Sequence, residues 1–158
     1  MFLAVRVGVL VALAAFLGAF SAVHAQALSE SDVQAMRMAL AATQNGDWNR
    51  AYASAPAVGD KLPLKIVRWL DYSRPGASGR FADIAEFIDK NPDWPRQKVL
   101  RRRAEEALNG ESDVIAADWF RRHPPVSAAG KVREAEIMLN SGNLEGGTAA
   151  LRAAWVPL

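Results

Sequence analysis

The chain has 158 residues, of which 51% are hydrophobic, and a formal net charge of +2 at pH 7. This length suits one domain with a buried core, and the near balance of charges argues for no particular partner. Because the chain contains no cysteine, a disulfide framework, thiolate metal sites, cysteine nucleophiles and cysteine-linked lipid anchors are excluded.

The first 25 residues have the features of a secretory signal peptide. Arg6 is the only charge before the apolar run 7–20, and small residues lead to Ala25, just before Gln26. These features are typical of a cleaved signal peptide, and the apolar run is shorter than the roughly 20 residues that a membrane-spanning helix needs. We expect cleavage after Ala25, a periplasmic mature chain over 26–158, and no stable membrane anchor. An uncleaved anchor is the alternative.

Apolar residues recur at helical spacing through the mature chain, and Gly, Pro, Asn and Asp divide them into about eight short segments. No stretch alternates with the period of a β-strand, so the sequence predicts an all-α fold. The predicted helices cover 28–45, 48–55, 62–72, 81–91, 95–108, 113–122, 127–139 and 143–155.

Capping residues and apolar faces support these segments. Ser29 or Ser31 is predicted to cap the first helix, Asp47 the second, and Ser112 or Asp113 the sixth. Six of the helices have apolar residues at steps of three and four. The residues predicted to face the core are Val33, Met36, Leu40 and Thr43, then Leu64, Val67, Trp69 and Leu70, then Phe81, Ile84, Ala85 and Ile88, then Val99, Leu100, Ala104, Ala107 and Leu108, then Val114, Ile115, Trp119 and Phe120, and finally Leu144, Thr148, Leu151 and Trp155.

The segment Asn91-Pro92-Asp93-Trp94-Pro95 predicts a corner between the fourth and fifth helices. A residue before proline avoids the α region, so the fourth helix should end by Asn91. Pro95 should lie in the first turn of the fifth helix, and the Asp93 side chain should accept a hydrogen bond from a backbone amide there. Trp94 should turn its ring into the core.

A second kind of corner occurs twice, over 40–51 and 138–146. Each has a helix end, a glycine, a capping Asp or Asn, a large apolar residue and a new helix. This corner is typical of stacked hairpins of the tetratricopeptide kind. We therefore predict an irregular α-solenoid, or superhelix, in which each hairpin buries its open face on the next. A solenoid this short should expose an apolar face at its C-terminal end, which predicts marginal stability or self-association.

Few side chains of the mature chain suit catalysis. His123 is its only histidine, and it stands at a predicted helix end, where an imidazole is ordinarily solvated. A lone histidine also argues against a triad and against a zinc site. The segment 142–147 lacks the strand and the lysine of a phosphate loop. We predict no catalytic, metal-ligating or cofactor-binding residue, and no cofactor.

The acidic residues predict surface ion pairs. Glu105 and Glu106 are adjacent on a helix and point in different directions, so they do not form an acid–base pair. Each follows an arginine by four residues, Arg101 and Arg102 respectively, and such pairs contribute a few tenths of a kcal/mol.

A basic run and five tryptophans remain. The run could contact an anionic polymer such as the cell-wall polymer, but a solvated helix face with acidic partners is favoured. Nucleic acid is not expected outside the cytoplasm. The tryptophans could stack on sugars, yet most are in phase with apolar faces and are predicted to pack in the core. The residues concerned are Arg96, Lys98, Arg101, Arg102 and Arg103, with Arg121 and Arg122 nearby, and Trp48, Trp69, Trp94, Trp119 and Trp155.

A set of short motifs covers essentially the whole mature chain in order. They are Trp69-Leu-Asp-Tyr72, Phe81-x-x-Ile-x-x-Phe-Ile88, Asn91-Pro-Asp-Trp-Pro95, Leu100-Arg-Arg-Arg-Ala-Glu105, Trp119-Phe120, Pro125, Gly130 and Ala153-Ala-Trp155. The most specific is the Asn-Pro-x-Trp-Pro corner followed by the Leu-x-x-x-Ala-Glu helix. With these motifs the chain resembles the N-terminal helical region of the soluble lytic murein transglycosylases.

This resemblance implies a periplasmic protein of peptidoglycan metabolism. Family members cleave the β-1,4 bond between N-acetylmuramic acid and N-acetylglucosamine and leave a 1,6-anhydro product. Their N-terminal region is a superhelix of hairpins, and a separate lysozyme-like domain carries a catalytic glutamate followed by serine. Here Glu30-Ser31 and Glu111-Ser112 lack the surrounding motif, so no catalytic residue is transferred.

We therefore expect a non-catalytic helical segment of a periplasmic lytic transglycosylase, inactive by itself and associated with peptidoglycan. The first alternative is a free-standing helical-repeat adaptor that binds an envelope protein or a glycan. The second is an autonomous glycan-cleaving enzyme that uses Glu105, Glu106 or Glu111.

Overall fold

A computed structural model describes residues 29–55, 61–77 and 79–155 of the chain. Over these ranges the fold is entirely helical, with eight α-helices, one short 3-10 helix and no β-strand, so the all-α prediction is confirmed. The elements are α1 (Glu30–Gln44), α2 (Trp48–Ser54), α3 (Leu62–Ser73), α4 (Phe81–Lys90), α5 (Gln97–Ala107), the 3-10 helix (Leu108–Gly110), α6 (Asp113–Arg122), α7 (Ala128–Asn140) and α8 (Leu144–Trp155).

The predicted signal peptide, 1–25, lies outside the described residues. Among the helices that are described, none is both long enough and apolar enough to cross a membrane.

The helices form three hairpins with connecting helices between them. Consecutive helices α1 and α2, α4 and α5, and α7 and α8 make the most extensive contacts. Helix α3 joins the first hairpin to the second by packing on α1, α2 and α5, while α5 and α6 both contact α7. Because each unit packs on the next along the chain, the arrangement is the predicted irregular α-solenoid.

The two similar corners have matching hydrogen bonds. Gly46 and Gly142 adopt positive φ angles of 72° and 90°, a conformation that costs glycine little. The next residue, Asp47 or Asn143, accepts from a backbone amide three residues later at 3.0 Å. Its own amide donates at 2.9 Å to a carbonyl five residues earlier in both corners. The recurring sequence pattern therefore encodes one recurring turn.

Most predicted caps are confirmed. The Ser29 hydroxyl accepts from the Asp32 amide at 3.1 Å, and the Ser112 hydroxyl accepts from Ile115 at 3.4 Å. Asp47 caps α2 as predicted. These bonds satisfy amides that a helix start otherwise leaves without a partner.

The predicted start of the fifth helix is wrong. Helix α5 begins at Gln97, because Arg96 adopts a left-handed conformation with φ 65° and separates Pro95 from the helix. No side chain caps this helix, so Asp93 does not have its predicted role. Tertiary bonds hold the corner instead: the Trp69 indole donates to the Pro95 carbonyl at 2.9 Å, and the Gln97 amide group donates to the Asn91 carbonyl at 2.6 Å.

The main core lies where α4, α5 and α6 meet. All four predicted core residues of α4 are buried, and on α5 the predicted Val99 and Ala107 are half-buried. The core consists of Tyr72, Phe81, Ile84, Ala85, Phe87, Ile88, Leu100, Ala104, Leu108, Ala116, Trp119 and Phe120. A smaller cluster joins α1, α2 and α3 and consists of Ala39, Ala42, Ala51, Ala55 and Val67.

Some predicted core positions are exposed or only half-buried. In α1 the alanines Ala39 and Ala42 face the core, and the four larger predicted residues are half-buried at its margin. In α6, Val114 is 79% exposed. In α8, Leu144 is 67% and Trp155 is 87% exposed, so the prediction that Trp155 packs in the core is wrong. An apolar face does remain open on the last helix.

Candidate functional site

A groove of about 540 Å³ lies between α3 and α4. Helix α3 packs on the first hairpin and on α5, whereas α4 packs mainly on α5, so the two helices make few direct contacts with each other. Its volume falls within the range of small-ligand sites. The groove is lined by Lys61, Leu64, Lys65, Arg68 and Tyr72 on one side, and by Asp83, Glu86, Phe87, Lys90 and Asn91 on the other.

Aromatic rings connect the two sides of the groove. Tyr72 and Phe87 meet edge-on with centroids 5.7 Å apart, and Trp94 meets Phe87 in the same way at 5.6 Å. Trp94 also meets Trp69 at 6.2 Å. The corner that was predicted from Asn91 to Pro95 therefore places the Trp94 ring against Phe87, one of the residues that line the groove.

The end of the groove is fixed by hydrogen bonds. The buried Asn91 carboxamide donates to the Phe87 carbonyl at 2.7 Å, and the Asn91 carbonyl accepts from the Gln97 side chain.

Tyr72 lines the groove as a protonated side chain. Burial raises the pKa of Tyr72, and Asp83 raises it further, while Arg68 lowers it. Tyr72 thus remains a neutral phenol at physiological pH.

The α3 side of the groove is cationic. Lys61, Lys65 and Arg68 follow one another at spacings of four and three residues, so they share one face of the helix. Within the described ranges none of them forms an ion pair with a carboxylate. The Lys65 ammonium lies 4.6 Å from the centre of the Trp94 ring, which holds it over an aromatic face.

The α4 side is internally neutralised. Asp83 pairs with Arg80 at 3.2 Å, and Glu86 pairs with Lys90 at 2.5 Å. The unneutralised charge in the groove is therefore positive and belongs to α3. Such a surface is suited in charge to an anion, and the residues that line the groove include no serine, threonine or histidine.

Glu105 does not form its predicted surface ion pair. Its side chain is buried at the junction of α5 with α7, with only 3% of the residue exposed. One carboxylate oxygen accepts from the Val126 amide at 2.7 Å, and the other accepts from the Ser127 amide at 2.9 Å and from the Ser127 hydroxyl. The carboxylate thus fixes the start of α7, and a Cβ at Gly130 would collide with it.

Glu106 does form a surface ion pair, but with a different arginine. Its two oxygens each lie 2.7 Å from Nη1 of Arg103, rather than near Arg102. Arg103 is half-buried beside this pair, whereas Arg102 and Lys98 are exposed and Arg101 lines a separate pocket beside His123. The basic run is therefore divided among different faces of α5 and forms no single binding surface.

His123 is more enclosed than predicted. Its side chain is 19% exposed, and its ring lies against Trp119 with centroids 4.1 Å apart. Its Nε2 lies 2.9 Å from an Asp89 oxygen, and Arg122 contacts the other Asp89 oxygen at 2.7 Å. Among the described residues, the imidazole bonds to a carboxylate and not to a hydroxyl, so the arrangement is not that of a catalytic triad.

The two Glu-Ser pairs occupy helix starts. Ser112 caps α6, and the Glu111 carbonyl accepts from Arg133 at 3.2 Å. Glu30 begins α1, and the Ser31 hydroxyl bonds to that of Ser29 at 2.8 Å. Over the residues that the structure describes, no group of three or more His, Asp or Glu side chains could hold a metal ion.

Sequence reasoning missed two features that the fold brings together. One is the cationic row of α3, which its spacing along the helix could have indicated. The other is Asp71, 1% exposed, which accepts from the Tyr52 hydroxyl at 2.8 Å and from Arg74 at 2.7 Å. Burial, followed by this bond to Asp71, raises the pKa of Tyr52 far above its usual range.

Compared with known proteins, the chain matches no family model, no curated protein and no solved structure.

Proposed function

We propose that the chain is the non-catalytic helical region of a periplasmic lytic transglycosylase that acts on peptidoglycan. In this role the chain binds and positions the wall polymer, while cleavage of the glycosidic bond belongs to a separate catalytic domain. The observation that carries the proposal is the location of the most specific motif. The corner 91–95 lies within the hairpin of α4 and α5, and residues of the motif pack this hairpin on α3 through Trp94 and on the start of α7 through Glu105.

The individual residues of this motif support a structural role. Trp94 packs on Trp69 and Phe87, Leu100 and Ala104 are fully buried in the main core, and Glu105 holds the start of α7. A motif whose residues serve packing between hairpins suits a scaffold that shapes a binding surface. It does not suit a centre that performs chemistry.

The acidic residues also favour binding over cleavage. Glycoside cleavage needs a carboxylic acid that reaches the scissile oxygen. Glu105 is buried with donors on both oxygens, and Glu106 is held by Arg103. Glu111 stands at a helix start without the surrounding motif of the family. The reaction that leaves a 1,6-anhydro product is therefore assigned to the parent enzyme and not to this segment.

A free-standing adaptor is the second candidate. The observation that favours it is the open apolar face of α8, where Leu144 and Trp155 are exposed and available to another protein. In this alternative the chain holds an envelope protein and has no catalytic partner domain.

The mature chain 26–158 should be incubated with purified peptidoglycan sacculi and sedimented, and the supernatant analysed by mass spectrometry. We expect saturable co-sedimentation and no release of 1,6-anhydro fragments. Failure to sediment would contradict peptidoglycan binding and favour the adaptor. Release of anhydro fragments that persists in E105Q, E106Q and E111Q variants would indicate a contaminating lyase. Release lost in one of those variants would contradict the non-catalytic assignment.

A further inference from the structure

The groove between α3 and α4 has a charge pattern that packing does not explain. Like charges spaced three or four residues apart on a helix repel each other. The row formed by Lys61, Lys65 and Arg68 keeps this repulsion without a carboxylate partner among the described residues. On the opposite wall, Lys90 is neutralised by Glu86. The uncompensated row points to an anionic ligand.

We propose that this groove binds the short acidic peptides of peptidoglycan through their carboxylates. The inference rests on the proposed function for the source of the ligand. Lys61, Lys65 and Arg68 provide the carboxylate contacts, and the aromatic and aliphatic surface of Leu64, Tyr72 and Phe87 provides the floor. Charge-assisted hydrogen bonds from ammonium and guanidinium groups to carboxylates are among the stronger polar contacts in proteins.

The dimensions of the row specify the ligand. Lys61 and Arg68 are seven residues apart, which corresponds to roughly 10 Å along a helix that rises about 1.5 Å per residue. An extended peptide covers that distance in about three residues. The groove therefore matches a short extended peptide whose carboxylates lie about three residues apart. Its volume of about 540 Å³ accommodates such a peptide and not a folded domain.

The neutralised α4 side adds selectivity. Asp83 and Glu86 are paired with Arg80 and Lys90, so this side offers no unpaired cation to a ligand that is negative along its whole length. A uniformly charged polymer such as nucleic acid finds matching charge on one side of the groove only, whereas a peptide can turn its carboxylates to α3 and its amides to α4. A neutral glycan has no group that matches the three cations.

The binding test uses the mature chain and three probes in calorimetric titrations. The probes are peptides released from sacculi by an amidase, a neutral oligosaccharide of N-acetylglucosamine, and a synthetic acidic peptide of L-residues that represents a protein segment. We expect the wall peptides to bind most tightly, with an affinity that falls as salt screens the exposed charges. Equal binding of the neutral oligosaccharide, or tighter binding of the synthetic peptide, would overturn the proposal.

A charge-removal variant tests the location. K61Q/R68Q removes two cations from the groove and leaves Lys65 in place over Trp94, so that packing is retained. The matched control K98Q/R102Q removes two exposed cations from α5. Circular dichroism should show that both variants are folded. We expect K61Q/R68Q to weaken peptide binding by about tenfold or more and the control to leave it unchanged.

The two proposals fail in different ways. If K61Q/R68Q binds the wall peptides as tightly as the unmodified chain, the groove proposal is overturned, while sedimentation with sacculi still supports the proposed function. If the unmodified chain binds the wall peptides but never sediments with sacculi, the proposed function fails, and the assignment of peptidoglycan as the source fails with it.

Discussion

The hairpin of α4 and α5 and the hairpin of α7 and α8 differ in how many neighbours cover them. Helices α4 and α5 bury large side chains, among them Ile84 and Leu100, against α3, α6 and each other. Helices α7 and α8 bury only Gly130, Ala135 and Gly147 among the described residues. Their large apolar side chains lie at the margin or in solvent.

The small residues of the last hairpin bring its helices close together. A Cβ at Gly147 would lie 2.6 Å from the Leu139 side chain and 3.0 Å from the Ala135 carbonyl. The two helices approach closely through their backbones but bury little apolar surface area. Burial of apolar surface is the dominant favourable contribution to stability. In a solenoid each interface adds its own stabilisation, so a hairpin covered on one side is held less firmly than one covered on two.

The largest difference between the two hairpins should come from truncating an apolar side chain in each. I84A should destabilise the chain by about 3–4 kcal/mol, because a fully buried isoleucine leaves a cavity. L144A should change stability by less than about 0.5 kcal/mol, since Leu144 is already 67% exposed. Urea unfolding followed by circular dichroism measures both. Equal losses would show that the two hairpins are equally covered in solution.

Glu105 of α5 connects the two hairpins by its hydrogen bonds to the start of α7. E105A should cost about 2–3 kcal/mol, because the Val126 and Ser127 donors lose their acceptor in a partly buried site. The matched change E106A removes a surface ion pair and should cost less than about 0.5 kcal/mol. Hydrogen exchange of α7 should accelerate in E105A. Unchanged exchange there would contradict the role of Glu105 as the anchor of α7.

The open face of α8 should mediate self-association. The chain is expected to associate at high concentration through Leu144 and Trp155, because exposed apolar groups gain free energy on burial. L144S/W155S should shift the sedimentation-velocity distribution toward monomer. V114S, which removes another exposed apolar side chain from α6, is the control and should change it less. A monomeric unmodified chain with a high unfolding midpoint would contradict this expectation.

The smallest effect concerns Glu134 in α7. Burial, and to a lesser degree Glu105, raises the pKa of Glu134 above its ordinary value of 4.5. The folded chain therefore holds the Glu134 carboxyl proton more tightly than the unfolded chain does, and deprotonation of Glu134 favours unfolding. This destabilisation is absent below the unfolded pKa and is complete once the pH has risen through the folded pKa. E134Q should therefore gain a small amount of stability at pH 7 and none near pH 3. The same gain at both values would exclude titration as the cause.

Local sequence predicted much of the fold. The eight helices, the caps Ser29 and Asp47, and the buried face of α4 depend on spacing and on side chains within one or two turns. These signals act over a few residues, so they are visible in the sequence. The repeated corner was also predicted, because a glycine at positive φ and the cap after it are adjacent in the chain.

Predictions that depended on contacts between residues far apart in the chain were less accurate. Glu105 bonds to amides more than 20 residues away, and His123 meets Asp89 across 34 residues. Neither contact leaves a pattern in a single sequence. The groove has the same origin: the spacing of cations on α3 is local, but their position opposite α4 depends on how both helices pack on α5.

The sequence by itself thus determined the all-α character, the order of helices and the chemistry of the two glycine corners. These follow from periodicity, capping and backbone preference, which each residue and its neighbours decide. The tertiary structure alone decided that Pro95 lies outside α5, that Glu105 is buried and that the α3 cations line a groove. In each case the deciding contacts join residues far apart in the chain, and only the packed helices bring them together.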